Sequence, residues 1–225
     1  NIMKNIYLNI FKYNKNILSK SIKYLKKNQI VSLPTETVYG LAGNAYSKQS
    51  ISRIYKLKKR PKNNPLIIHY YNFDDASKDV IFNKKFYILY KKFCPGPLTF
   101  ILKKKKNSKL NFLATSKLDT VAVRFPKHMI IRNILKKLKF PLAIPSANKS
   151  FGISPVSSED VYEEFKNKIK MIVDGGRCKI GIESTIIKLI EKIKVLRPGA
   201  ISLNQINLIL KNKIQIQKKQ KIIIS

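Results

Sequence analysis

Three arginines stand out in a chain that carries almost all of its positive charge on lysine. Of 46 basic residues only six are arginine, and Arg60, Arg124 and Arg197 each sit in a short polar stretch rich in hydroxyls, prolines or glycines. The stretches are PTETVYGL (34–41), KLKKRPKNNPL (56–66), AVRFP (122–126), PSANKSFGISP (145–155) and GIESTIIKL (181–189), the last continued by VLRPG (195–199). A guanidinium presents a planar fork of donors that matches a carboxylate or phosphate edge-on. Hydroxyls beside it can donate or accept. Such a set suits the binding of anionic substrates and the stabilisation of charge during group transfer, which depends on positioning and electrostatics more than on a protein nucleophile. Arg124 lies inside the otherwise apolar TVAVRF (120–125) and needs an anionic partner if buried. Hydroxyls next to prolines are also ordinary turn chemistry, so the ordered set carries the argument rather than any one stretch.

Other phosphate and nucleophile signatures are missing. Gly176 and Gly181 have the spacing of a P-loop, but Ile182 and Glu183 follow where a lysine and a hydroxyl residue are required. Neither G-x-G-x-x-G nor G-x-S-x-G occurs. Any phosphate must then be held by side-chain cations and local amides. Two cysteines, Cys94 and Cys178, and two histidines, His69 and His128, make neither a disulfide framework nor a metal cluster; the cysteines read as buried thiols.

The polar stretches need elements to hold them. Apolar spacing predicts helices over 15–28, 48–58, 83–93, 128–139, 158–165 (with a serine cap) and 202–211. Strands are expected over 30–33, 65–70, 98–102, 120–125, 141–145, 171–174, 184–190 and 194–198, with 103–118 a loop or weak hairpin. This alternation predicts an α/β (mixed α+β) fold, a twisted mixed sheet flanked by helices. It also puts the polar stretches at strand ends, where such sheets bind ligands. With 225 residues, 44% of them hydrophobic, one domain over 1–211 is expected, with 212–225 a basic tail or an edge strand. The net charge of +34 reads either as a polyanion partner, such as RNA or a phosphorylated substrate, or as compositional drift toward Lys, Asn and Ile. With no signal-peptide pattern and no apolar run near the ~18 residues of a membrane span, a cytoplasmic protein without a membrane segment is expected.

Taken in order, PTETVYGL, the Lys-x-Arg of Lys58 and Arg60 followed by NPLIIH, then PGPLTFIL, DTVAVRFP, PSAN and ESTII…VLRPG resemble the YrdC-like family, over roughly residues 12–210. Its members include the threonylcarbamoyl-AMP synthases. The resemblance implies a concave basic cavity and a reaction of L-threonine, bicarbonate (or CO2) and ATP, with Mg2+ entering alongside ATP, to give threonylcarbamoyl-AMP and pyrophosphate. A separate tRNA-adenosine threonylcarbamoyltransferase would then carry the group to adenosine 37 of tRNA. By the same resemblance Thr35, His69, Arg124, Ile144 (through its backbone) and Ser184 face L-threonine. Lys58, Arg60, Lys62, Thr120, Ser146, Asn148, Ser154 and Arg197 face ATP, and Lys58, Arg60, Ser146 and Asn148 form the catalytic set. Tyr39 either walls the same pocket or is a packed aromatic. Glu36 and Glu183 are expected as salt-bridge partners rather than bases, and without a carboxylate cluster the magnesium rides on phosphates and water. The alternative is a module of the same fold that binds double-stranded RNA or tRNA without synthase activity; it needs a broad basic face rather than this particular set. Relatives that take carbamoyl groups for metallocluster maturation carry zinc-finger and acylphosphatase-like domains, for which this chain has too few cysteines and is too short.

Overall fold

Helix starts follow directly from side-chain chemistry. Asn14, Ser47, Asn72, Asn83, Ser157 and Ser202 each accept a hydrogen bond from the amide three residues on, satisfying a donor the helix cannot use. Ser157 and Ser202 form full capping boxes with Asp160 and Gln205. In the computed structural model, which describes residues 8–211 and 214–216, the helices are α1 (Lys15–Lys26), α2 (Lys48–Lys58), α3 (Phe73–Ala76), α4 (Lys84–Phe93), α5 (Met129–Lys137), α6 (Ser158–Phe165) and α7 (Leu203–Leu210). The strands are β1 (Ile10–Lys12), β2 (Val31–Leu33), β3 (Gly40–Asn44), β4 (Ile67–His69), β5 (Val80–Ile81), β6 (Leu98–Lys104), β7 (Thr120–Arg124), β8 (Leu142–Ala143), β9 (Ile172–Asp174), β10 (Thr185–Lys188), β11 (Lys194–Arg197) and β12 (Gln215–Ile216). No helix among the described residues is long and apolar enough to cross a membrane.

The strands form one mixed sheet in the order β1-β9-β2-β3-β8-β4-β7-β6-β10-β11-β12, with β5 added alongside β6. Alternation along each strand divides the core. On one face Leu41, Ile68, Val123, Phe100 and Ile187 pack under α2, α4, α6 and α7 through Ile51, Ile54, Phe86, Leu89, Val161, Phe165 and Ile206. On the other face, at the β2-β3-β8 end, Val31, Leu33, Ala42, Leu142 and Ile144 pack under α1 and α5 through Leu25, Ile130, Ile131 and Ile134. Each of these Val, Leu, Ile and Phe side chains removed from water contributes about 1.5–3 kcal/mol. The same second face, further along, holds only a small cluster of Ile67, Ala122 and Ile186 with Ile101 and Leu196, and no helix residue belongs to it. That helix-free half of the face is where the functional site forms.

The predicted fold class and helices agree with this structure, the boundaries moving by a few residues. Four elements, β1, β3, α3 and β5, were not expected. The sequence of β3, GLAGN, has two glycines in five residues and little intrinsic strand preference. It is a strand because β2 and β8 pair with it on either side. The segment 103–118 is a loop as expected, entered from a longer β6. It is fastened by the buried Asp79, which accepts from Ser108 Oγ (2.7 Å) and Lys109 N (3.0 Å), and from the hydroxyls of Tyr46 (2.8 Å) and Tyr70 (2.9 Å). Within the expected tail, β12 pairs parallel with β11; residues 217–225 lie outside the described residues.

Candidate active site

On the helix-free face, β4 and β7 run parallel and in register, so that His69 lies beside Arg124 at their carboxyl ends. The loop after β2, the loop after β8 and the approach to β10 close around this pair. The pocket they make is lined by Thr35, Arg60, His69, Arg124, Ile144, Ser146, Ser184 and Arg197, together with Thr37, Tyr39, Gly40 and Glu183. Eight candidates thus converge on one cavity, six of them from the five polar stretches and two, His69 and Ile144, from strand ends beside them. Gly40 is required by the closeness of its walls, since a Cβ there would lie 2.3 Å from Ile144 Cγ2. Gly199 of VLRPG has a similar role, because a Cβ would meet the Glu183 carbonyl oxygen at 2.4 Å.

The remaining candidates are placed around the pocket. Lys58 and Asn148 lie beneath its floor. The Lys58 ammonium donates to Ser146 O (2.7 Å), Asn148 O (2.6 Å) and Asn148 Oδ1 (3.4 Å), and Asn148 Nδ2 donates to Lys149 O (2.9 Å) and Gly152 O (2.7 Å). Together they fasten the PSAN loop from below. Burial, followed by the nearby Arg60 charge, pulls Lys58 down to about 7. Ser154 donates to Glu183 Oε1 (3.0 Å), and the other oxygen of Glu183 pairs with Arg197 Nη1, so Ser154 joins the site through Glu183. Lys62 is exposed on the turn after α2. Thr120 opens β7 on the same face as Arg124, about 13 Å along the strand at ~3.3 Å per residue.

Within the pocket Arg60 and Arg124 are each held by part of the fork, and Arg197 by all three of its nitrogens. Arg60 donates through Nε to Asn64 O (3.1 Å) and through Nη2 to Asn64 Oδ1 (2.7 Å) and Pro65 O (2.9 Å). Arg124 Nη2 donates to Glu36 Oε1 (2.8 Å) and Thr37 Oγ1 (2.9 Å). Arg197 donates to Ser184 O through Nε (3.2 Å) and Nη2 (2.9 Å), and pairs with Glu183. Both glutamates are salt-bridge partners, as expected. Thr37 accepts from Arg124, and its hydroxyl is 2.9 Å from that of Thr35, which donates to Val38 O (2.7 Å). The Tyr39 hydroxyl donates to Gly176 O (2.8 Å) and its side chain is fully buried in the core under the helices, so it borders the pocket as a packed aromatic. Ser184 shares a hydrogen bond with Thr99 (2.7 Å).

The polar atoms left over are the informative ones. Among the described residues, seven buried side-chain polar atoms have no hydrogen-bond partner, and four of them, Arg60 Nη1, His69 Nε2, Arg124 Nε and Ser146 Oγ, belong to residues lining this one pocket. Buried polar groups are almost always paired, so four orphans in one cavity mark a place for a polar ligand. His69 Nδ1 is 3.2 Å from Ile67 O; a carbonyl can only accept, so Nδ1 carries the proton and Nε2 is a bare acceptor. Burial, and then the Arg124 charge, push His69 down to about 3, which keeps it neutral. The two thiols are free and, through burial, raised to about 12 (Cys94) and about 11 (Cys178), so neither is a nucleophile.

Comparison with known proteins agrees with this geometry. The family profile Sua5_yciO_yrdC, described as "Telomere recombination", matches residues 23–199. The chain belongs to the Sua5/YciO/YrdC family. A Sua5/YciO/YrdC relative from Pyrococcus abyssi, a threonylcarbamoyl-AMP synthase, is 42% identical over 187 residues, 81% of this chain and 54% of that protein. The Bacillus subtilis threonylcarbamoyl-AMP synthase is 38% identical over 197 residues, 86% of this chain and 56% of that protein. The crystal structure of P. abyssi Sua5 complexed with L-threonine superposes with a TM-score of 0.86 at 37% identity, covering 92% of this chain and 61% of that one. The chain thus spans about half the length of the curated relatives it matches.

As a Sua5/YciO/YrdC domain it also uses residues that the sequence reading did not single out. Thr37 and Asn64 orient Arg124 and Arg60, and both lie inside the quoted stretches, so only the knowledge of which side chains turn toward which arginine was missing.

Proposed function

We propose that this chain joins L-threonine, bicarbonate and ATP into threonylcarbamoyl-AMP and pyrophosphate, acting as a nucleotidyltransferase. The observation that carries the reading is the convergence of four unpartnered polar atoms, on Arg60, His69, Arg124 and Ser146, on one pocket. Arg124 receives the threonine carboxylate, and the bare Nε2 of His69 accepts a hydrogen bond from a donor on the same substrate. Arg60, whose Nη1 remains unused, Arg197 and the Ser146 hydroxyl face the phosphates. Lys58 and Asn148 hold the loop that presents Ser146.

In the reaction the threonine nitrogen bonds to the bicarbonate carbon with loss of water. An oxygen of the resulting carbamate attacks the α-phosphorus, and the bond to pyrophosphate breaks. Charge accumulates around the α-phosphorus, where fixed guanidinium donors stabilise it without having to reorganise. Magnesium arrives with ATP as part of the substrate. No group of three or more His, Cys, Asp or Glu side chains among the described residues is arranged to hold an ion, so phosphate oxygens and water would ligate it. The product passes to a tRNA-adenosine threonylcarbamoyltransferase, and the cytoplasm is the compartment in which such chemistry has its tRNA.

Pyrophosphate release with labelled bicarbonate tests the proposal. Release that requires both threonine and bicarbonate, with label in a threonine adduct of AMP, is expected. ATP turnover indifferent to threonine, together with tight double-stranded RNA binding, would replace the synthase by the RNA-binding alternative.

A further inference from the structure

We infer that Glu36 sets the charge at the amino-acid end of the pocket, so that Arg124 accepts the carboxylate of a zwitterion and turns away free phosphate; this rests on the threonine reading above. The three pocket arginines differ in their counter-charges. Every hydrogen bond of Arg60 goes to a neutral acceptor, Asn64 O, Asn64 Oδ1 or Pro65 O. Arg124 is compensated by Glu36, and both are buried, at 5% and 8% exposure. Arg197 is compensated by Glu183. The cavity therefore has one guanidinium, Arg60, with no carboxylate hydrogen-bonded to it, and two, Arg124 and Arg197, each paired with a glutamate.

Glu36 is built to stay ionised and fixed. Oε1 accepts from Arg124 Nη2 at 2.8 Å, and Oε2 accepts from the amides of Lys127 (3.0 Å) and His128 (3.2 Å). His128 is the cap of α5, so the carboxylate also sits at the positive end of that helix. Both oxygens are therefore committed, and Glu36 acts through Arg124 as a positioning residue. An amino acid brings a carboxylate together with an ammonium and is neutral overall, so it fits a site whose net charge is near zero. Phosphate brings only negative charge, which beside Glu36 is repelled and at Arg60 is not. The arrangement keeps the phosphates of ATP, and the pyrophosphate product, out of the threonine subsite in a chain whose +34 charge otherwise attracts them.

Calorimetric titration of the whole chain with L-threonine and with inorganic phosphate tests this. In the parent protein, threonine binding is expected to be unaffected by millimolar phosphate. In Glu36→Gln, which keeps the shape, phosphate is expected to bind about tenfold tighter and to compete with threonine, so that millimolar phosphate raises the apparent threonine Kd in the variant and not in the parent. Glu36→Asp, which keeps the charge, should restore the discrimination. Unchanged phosphate affinity in a folded Glu36→Gln variant would overturn the inference, as would equal gains in Glu36→Gln and Glu36→Asp. Should neither variant fold, the parent alone decides: phosphate that displaces threonine from it at comparable concentration refutes the charge filter. A parent that binds no threonine at all refutes the threonine reading instead, so the two failures are told apart.

Discussion

Replacing Lys58 by methionine separates two roles that this lysine could have. Its ammonium is fully buried and spends its donors on Ser146 O, Asn148 O and Asn148 Oδ1, which lie 88 and 90 residues away in sequence. Methionine fills a similar volume but cannot donate, so two main-chain carbonyls lose a charge-assisted partner. Each buried carbonyl left unpaired costs about 1–3 kcal/mol. Against this, the variant no longer has to bury an ammonium, a burden visible in the fall of Lys58 to about 7. The net expectation is a loss of about 2–4 kcal/mol, which for a domain of this size lowers Tm by roughly 5–15 °C. The PSAN loop would loosen, and Ser146 with it, so kcat should fall rather than the ATP KM alone rise. Urea unfolding together with steady-state pyrophosphate release measures both. A variant within about 0.5 kcal/mol of the parent, with only its ATP KM changed, would falsify the loop-fastening role and put the ammonium on a phosphate instead.

The same lysine predicts a pH dependence. Its folded pKa of about 7 lies below the ordinary 10.5, so between those values the unfolded chain binds more protons. Stability from this group is therefore full above 10.5 and is lost as pH falls through 7. Raising pH from 7 to 9 should stabilise the parent relative to Lys58→Met by up to about 2 kcal/mol, read by urea midpoints at each pH. Asp79→Ala should cost about 3–5 kcal/mol, because it strips four donors of their buried acceptor; thermal unfolding should show the loss while threonine affinity stays at the parent value. Gly40→Ala should drive Ile144 from the pocket wall, since the new Cβ would start 2.3 Å from its Cγ2. It should cost about 1–3 kcal/mol and weaken threonine binding more than ATP binding, measured by calorimetry.

Much of the site could be read from residue types because drift toward lysine left the arginines conspicuous. That signal marks places needing a planar donor, and not all of them are binding sites. Arg53 donates to Asn28 O (2.9 Å), and Arg132 lies 4.3 Å from the Tyr71 ring centre and donates to Tyr71 O (3.2 Å); both are structural. The strands carrying His69 and Arg124 were legible from their apolar runs, whereas β3 was not, because its glycines serve close packing and its pairing is decided by neighbours distant in sequence. Sequence also could not tell which members of the Lys-x-Arg and Ser-x-Asn pairs face the cavity. In each pair one residue, Arg60 or Ser146, lines the pocket, and the other, Lys58 or Asn148, supports it from beneath.

The least legible feature is the one that creates the site. Period-2 alternation shows that Ile67, His69, Ala122 and Arg124 share a face opposite Ile68 and Val123, but not whether a helix covers that face. Helices α1 and α5 cover it only over β2, β3 and β8, because their apolar stripes pack on Val31, Leu33, Ala42 and Leu142. Beyond β8 the face is left to small and medium side chains and to two cationic or polar ones. A sheet face without a helix must meet either solvent or a ligand. Here the loops bearing Thr35, Ser146 and Ser184 fold over one end of it and leave polar atoms unsatisfied, which makes it a receptor for something polar rather than a bare surface. The uncovered half-face and the orphaned donors are thus two results of one topological fact: the crossovers place α1 and α5 together at the β2-β3-β8 end, and the charge chemistry occupies what they leave open.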